Sequence, residues 1–150
     1  MIFLPLIIVA AVLLAVFRWV TVRGDNRFYR WAWVAFLAGV FLLFWVNGAV
    51  GIIGASNNDV NMLYNALLGL GVLAAIVLKG RSLVLAMLML VMDFFLCSLL
   101  AVAWVMDWGI SGPKWPYDAL LLTVFFSLLW SVAAVLFYVS YRHRLRMGIS

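Results

Sequence analysis

Five apolar runs of about twenty residues each leave this chain few ways to fold. They read roughly as Ile2–Val20, Trp31–Ile53, Val60–Leu78, Ser82–Met106 and Tyr117–Tyr141. A helix of ~20 residues rises about 30 Å, the thickness of the bilayer hydrocarbon. In that solvent every backbone N–H and C=O must be satisfied inside the structure, and a single run of this length does so as an α-helix. The 150 residues are 69% hydrophobic and only 10% charged, against about 25% charged in a soluble domain. A water-soluble globule is excluded, and so is a disordered chain, which needs much charge and few apolar residues. The expectation is an all-α integral membrane bundle of five transmembrane helices, forming one transmembrane domain over residues 1–150.

The first run needs separate argument, because a secretory signal is also apolar. Such a signal opens on positive charge and closes on a small-residue cleavage site. Here no charge precedes Arg18, and no such site follows the apolar run. Pro5 falls in the first turn, where a missing N–H costs little. Arg18 falls near the end, where its stem can snorkel to the headgroups. The run is read as a retained span.

Loop charges set the orientation. Arg18, Arg23, Arg27 and Arg30 surround the first connection, Lys79 and Arg81 the third, and Arg142, Arg144 and Arg146 the tail. The second connection, Gly54–Asp59, has no Lys or Arg, and the fourth, Asp107–Asp118, has only Lys114. Nine of the ten basic residues thus fall on one side. Cytoplasmic loops carry the Lys/Arg excess, so the N-terminus is expected outside and the C-terminus in the cytoplasm. The net charge of +5 is accounted for by orientation, with a weak attraction to anionic headgroups and no nucleic-acid partner. Trp19, Tyr29, Trp31 and Trp33 mark one expected interface, and Trp104, Trp108, Trp115 and Tyr117 the other, as amphipathic rings do.

Lipid is as apolar as leucine, so small residues and interhelical hydrogen bonds must hold the helices together. Thr123, Ser127 and Ser131 recur at i+4 and form one stripe, extended by Ala134. Gly48, Gly51 and Gly54 recur at i+3, and Gly69 and Gly71 mark the third run. Gly48, Gly51, Thr123, Ser127 and Ser131 are the expected helix-packing residues.

The candidate functional residues are the polar ones inside the bilayer. Asp93 sits mid-run in LMLVMDFFLC, with Met89 and Cys97 a turn away on the same face. A carboxyl at that depth must face the bundle or a wet cavity. It is either a proton carrier or a structural acid bonded to another helix, with Ser127 and Asn65 the first expected partners. Asn47, Asn61 and Asn65 form the second group. Asn61 and Asn65 share a helix face at i, i+4, and Ser56, Asn57 or Asn58 can cap the helix they begin.

The stretch from Trp45 to Val77, WVNGAVGIIGASNNDVNMLYNALLGLGVLAAIV, resembles a family of small, largely uncharacterised proteobacterial membrane proteins. Members share an N-x-A-V-G-I-I-G segment, an Asn-containing turn and an N-L-M-Y-like start to a Gly/Ala-rich helix. The matching positions here are Asn47, Gly48 to Gly54 and Asn61 to Tyr64, and the resemblance extends over roughly Arg27 to Arg146. Relatives carry Glu in the turn where this chain has SNND, and they read as four spans. The resemblance implies a four-helix core with an extra N-terminal span, and a multi-pass protein of a bacterial inner membrane. It implies no activity.

Enzyme chemistry finds no footing in the sequence. Haem needs axial ligands such as His or Cys, and the one histidine, His143, lies in the charged tail. Zinc wants three or four ligands in one place. The P-loop pattern is absent, and there is no Glu to pair with the scattered Asp residues. The expectation is a non-enzyme without cofactor or metal. Such a chain acts as an accessory or structural subunit of a larger membrane complex, or as a homo-oligomeric scaffold, with other membrane subunits or itself as partner. The alternative is a small oligomeric transporter or channel protomer using Asp93 and the Asn47/Asn61/Asn65 cluster.

Overall fold

The structure is a computed structural model, and it describes residues 3–22 and 26–148. Five α-helices follow one another: α1 (Phe3–Thr21), α2 (Arg27–Ala49), α3 (Met62–Val77), α4 (Ser82–Val105) and α5 (Tyr117–Arg146). A short 3-10 turn, Asp59–Asn61, leads into α3. The described residues contain no strand. All five helices, α3 together with its leading turn, are long and apolar enough to cross a membrane. Five such helices are compatible with a multi-pass membrane protein.

Local chemistry fixes the helix ends. Asn26 precedes α2 in an extended conformation, and its side chain accepts from the Tyr29 N–H at 2.9 Å, satisfying one of the free donors of the first turn. The helix therefore starts at Arg27, earlier than Trp31. It stops at Ala49 rather than Ile53, because Gly51 lies at φ +74°, a left-handed conformation that ends helices. α5 runs past Tyr141 to Arg146. Its last turn holds Arg144 and Arg146, cations that suit the negative end of the helix dipole.

α5 is the central post. It packs most extensively on α4 and α2, while α3 closes the ring against α4 and α2, and α1 lies outside, chiefly on α2. Among the described side chains of α1, only Leu13 and Val20 are buried. A four-helix core with a peripheral first helix is thus the arrangement within the chain. Between α2 and α5 the core is aromatic. Trp33 meets Phe137 edge-on at 5.9 Å and Phe36 at 5.8 Å, the offset geometry that ring quadrupoles favour. Trp130, Phe126 and Tyr64 are also fully buried. Two glycines allow close approach. A Cβ on Gly39 would sit 2.6 Å from Nε1 of Trp130, and one on Gly71 would overlap the Met92 side chain. The outer faces, such as Leu90, Val91, Phe94 and Phe95 of α4, are exposed and apolar.

The connections gather at two ends. At one, Tyr29 Oη accepts from Gly80 N–H at 2.9 Å, and Asn26 Nδ2 donates to Ser140 Oγ at 3.1 Å. The Lys79 ammonium lies 3.1 Å from the Trp19 ring centroid, a cation–π contact that ties the end of α1 to the α3–α4 link. This basic end carries Arg18, Arg27, Arg30, Lys79, Arg81, Arg142, Arg144 and Arg146. At the opposite end the 50–58 and 106–116 connections meet, and this end carries Lys114, Asp59, Asp107 and Asp118. Arg23 lies outside the described residues.

Candidate functional site

The opposite end is a knot of asparagines. After α2 the chain turns sharply through Gly51 and Gly54, both at positive φ. A Cβ at Gly54 would press on Ser111 and Gly109, and one on Gly112 would lie 3.0 Å from the Gly54 backbone. The two connections are therefore in backbone contact where no side chain fits. The turn buries Ile52 and Ile53, and their N–H groups need acceptors away from water. Asn61 supplies them. Its Oδ1 accepts from Ile52 N at 3.1 Å and Ile53 N at 2.9 Å, while its Nδ2 donates to Ala55 O at 2.9 Å and, more weakly, to Ile53 O at 3.4 Å. The Asn61 carbonyl takes Nδ2 of Asn47 at 2.8 Å, and that same amide reaches Asn65 Oδ1 at 3.2 Å.

Asn47, Asn61 and Asn65 thus come together, but each does something different. Asn61 is buried and spends its amide on the backbone of the turn. Asn65 is exposed. Asn47 is 3% exposed, and its Oδ1 has no partner among the described residues. Asn58 joins the two connections, donating to Trp108 O at 2.8 Å and accepting from Val60 N at 3.1 Å to cap the 3-10 turn. A cleft of about 200 Å³ opens beside the knot, lined by Asn47, Asn65 and the exposed Ser56, Asn57 and Asp59.

Asp93 belongs to a second, separate grouping on the α4–α5 seam. Ser131 Oγ donates to its Oδ2 at 3.4 Å, and its Oδ1 is buried without a partner among the described residues. Neither expected partner reaches it. Ser127 sits one turn earlier on α5, within hydrogen-bond reach of Cys97, and Asn65 is held at the knot by Asn47. Axial register between α4 and α5 decides this, and sequence periodicity carries no register. The structure does not bring Asp93 together with the asparagines.

The expected packing residues divide. Thr123 is buried, while Ser127 and Ser131 are half-buried and turned to the α4 seam. Among the described residues Gly48 packs against no other helix: nothing lies within 4 Å of a Cβ built there, and the same holds at Gly69. Gly51 is not a helix-packing residue, because it lies in the turn beyond α2. Sequence reasoning missed the clasp at the basic end, where Ser140 is fully buried between Asn26 and Ser82. An Asn just ahead of an apolar run is an N-cap signal, so Asn26 was findable. Ser82 and Ser140 carry no such signal.

Chemically, the knot and the clasp are ties between connections, and the span between them is filled by Trp33, Phe36, Trp130, Phe126 and Phe137. Among the described residues, no three of His, Cys, Asp and Glu converge on a point that could hold a metal ion. In comparisons with protein-family models, curated proteins and solved structures, nothing matches this chain.

Proposed function

We propose that the chain is an accessory or structural subunit of a larger membrane complex, or a homo-oligomeric scaffold, in a bacterial inner membrane. In this reading its N-terminus lies outside and its C-terminus in the cytoplasm, because the basic end takes the side favoured by Lys and Arg. The resemblance of Trp45–Val77 to small proteobacterial membrane proteins is the ground for the bacterial setting. The protein is proposed to be a non-enzyme that works through contacts in the plane of the bilayer.

One observation carries the reading. Gly48 on α2 and Gly69 on α3 point outward with open space in front of them, and Ala49 and Ala66 beside them are exposed too. Small residues let helix backbones approach in lipid, so these faces suit a neighbouring helix better than acyl chains. The aromatic filling of the core supports the same reading, since Trp33, Phe36, Phe126, Trp130 and Phe137 occupy the space between the two ends.

A second reading, an oligomeric transporter or channel protomer, is favoured by one feature: Asp93 has a buried, unpartnered oxygen at mid-span. An intramembrane acid of this kind is a proton-path candidate. The asparagine knot lends it little, because Asn61 is fully engaged with its own turn.

Extraction in a mild neutral detergent, followed by mass determination and identification of bound chains, tests the proposal. The expected result is a stable complex with other membrane subunits or a defined homo-oligomer, dispersed by Gly48→Leu or Gly69→Leu. A homo-oligomer that conducts protons in liposomes, and loses that flux in Asp93→Asn while keeping its size, would establish the second reading instead.

A further inference from the structure

Along the α4–α5 seam, polar side chains reach the outer face of the bundle at mid-span. Cys97 and Ala101 of α4 are exposed there, and Asp93, Ser127 and Ser131 are half-buried. Beyond them on either side, Leu90, Val124 and Leu128 are exposed and apolar, as a surface against acyl chains should be. The seam is thus a strip of small and polar side chains with an acid in it. One carboxyl oxygen of Asp93 is covered, yet the residue as a whole is only half-buried, so it is reached from outside the bundle.

Asp93 is short of donors. Its Oδ1 has no partner among the described residues, and its Oδ2 takes a 3.4 Å bond from Ser131, long for a hydroxyl on a carboxylate. Nearby donors are engaged elsewhere: Ser98 Oγ donates to Phe94 O at 2.7 Å, and Ser127 lies within hydrogen-bond reach of Cys97. The ends of the bundle are too far away to supply a cation. Asp93 is 11 residues from Ser82 and 12 from Val105, about 16–18 Å of helix each way, farther than a side chain in a connection or at a terminus reaches. The described Lys, Arg and His residues all lie in the end turns of helices or in connections. A carboxyl at this depth needs a partner inside the bilayer, and one from another chain must supply what this chain lacks. A cation fits best, because its bond to a carboxylate is charge-assisted. A second copy of this chain would bring another acid to the same depth instead.

We propose that the α4–α5 seam is the docking surface for a membrane-spanning helix of a different protein, which carries a lysine or arginine at the depth of Asp93. The Asp93 carboxylate accepts from that cation, and the small side chains of Cys97, Ala101 and Ser127 let the two backbones approach. The inference rests on the accessory reading and gives the chemistry of its partner. A monomer on native extraction would remove that reading, whereas a defined helix probes the seam directly, so the two fail separately.

The test uses the full chain in phosphatidylcholine liposomes. The probe is a synthetic leucine–alanine helix of transmembrane length, free of tryptophan, with one central lysine. Energy transfer from the chain's tryptophans to a dye on the peptide gives the affinity, and a photoreactive residue one turn from the lysine maps the contact. The expected result is saturable binding with cross-links to α4 and α5 around Cys97. Binding should be about tenfold stronger than for matched peptides with central leucine or aspartate, the scale of a polar contact between membrane helices. Asp93→Asn should lose most of that preference while unfolding like the parent, and Asp93→Glu should retain it. Asp59→Asn removes an acid at the opposite end and should leave binding unchanged. Equal binding of the leucine peptide, an unaffected Asp93→Asn, an equally weakened Asp59→Asn or cross-links away from the seam would each overturn the site. Efficient disulfide formation between two copies at Cys97, the one cysteine of the chain, would also overturn it, by placing a second copy on the seam.

Discussion

Replacing Asn61 by alanine isolates the contribution of the asparagine knot. The side chain accepts from two buried backbone N–H groups, Ile52 and Ile53, and donates to Ala55 O. Alanine removes the acceptor and leaves both donors facing a space vacated inside the turn. A buried donor left unpaired costs about 1–3 kcal/mol. Two donors give ~2–6 kcal/mol, and access of water from the end of the bundle places the expected loss in the lower half, about 3 kcal/mol. Asn61→Asp keeps the acceptor but puts an oxygen against Ala55 O, so its loss should be smaller yet measurable. Asn65→Ala removes one 3.2 Å bond from an exposed residue, and should cost under ~1 kcal/mol. Equilibrium unfolding in mixed micelles of neutral detergent and dodecyl sulfate, followed by tryptophan fluorescence, orders the three variants. An Asn61→Ala protein as stable as the parent, or an Asn65→Ala protein equally damaged, would refute the assignment of Asn61 as the tie of the turn.

Gly39→Ala should destabilise the bundle by about 1–3 kcal/mol through overpacking against the fully buried Trp130, and Trp130→Phe in the same background should restore part of the loss in the same unfolding assay. Tyr29→Phe removes the acceptor for Gly80 N–H and should cost about 1 kcal/mol, with faster hydrogen exchange at Gly80. Asp93→Asn preserves shape and the capacity to bond Ser131, and should unfold like the parent; Asp93→Leu gives up the Ser131 contact on the α4–α5 seam and should be measurably less stable.

Hydropathy alone made the helical class and the five long apolar segments legible, because twenty-odd apolar residues in series have few other fates. It failed at the end of α2. Gly51 to Ile53 extends the apolar run, yet the chain turns there, and the two isoleucines are buried in a loop rather than a helix. Hydropathy reports burial without distinguishing helix from turn, and the deciding feature is the positive φ at Gly51. The asparagines were legible as a group. Their division of labour was not, since Asn61 acts on backbone N–H groups eight and nine residues earlier, which only the folded turn brings near. Asp93 shows a third limit. Its helical face could be read from its neighbours, but Ser127 and Ser131 differ by about 6 Å along α5, and only the packed helices set which one it meets. Gly48 shows a fourth: the same i+3 pattern arises whether a glycine faces its own bundle or, as here, open space.

The central claim is a five-helix bundle crossing a membrane with its basic end in the cytoplasm. Cysteine labelling in a Cys97→Ser background tests it most directly, with Ile110→Cys at the opposite end and Met147→Cys at the basic end, both exposed positions. The account predicts that an impermeant maleimide modifies Ile110→Cys in intact cells and Met147→Cys only after the membrane is opened. Labelling of Met147→Cys from outside while Ile110→Cys stays protected, or labelling of both from the same side, would contradict it.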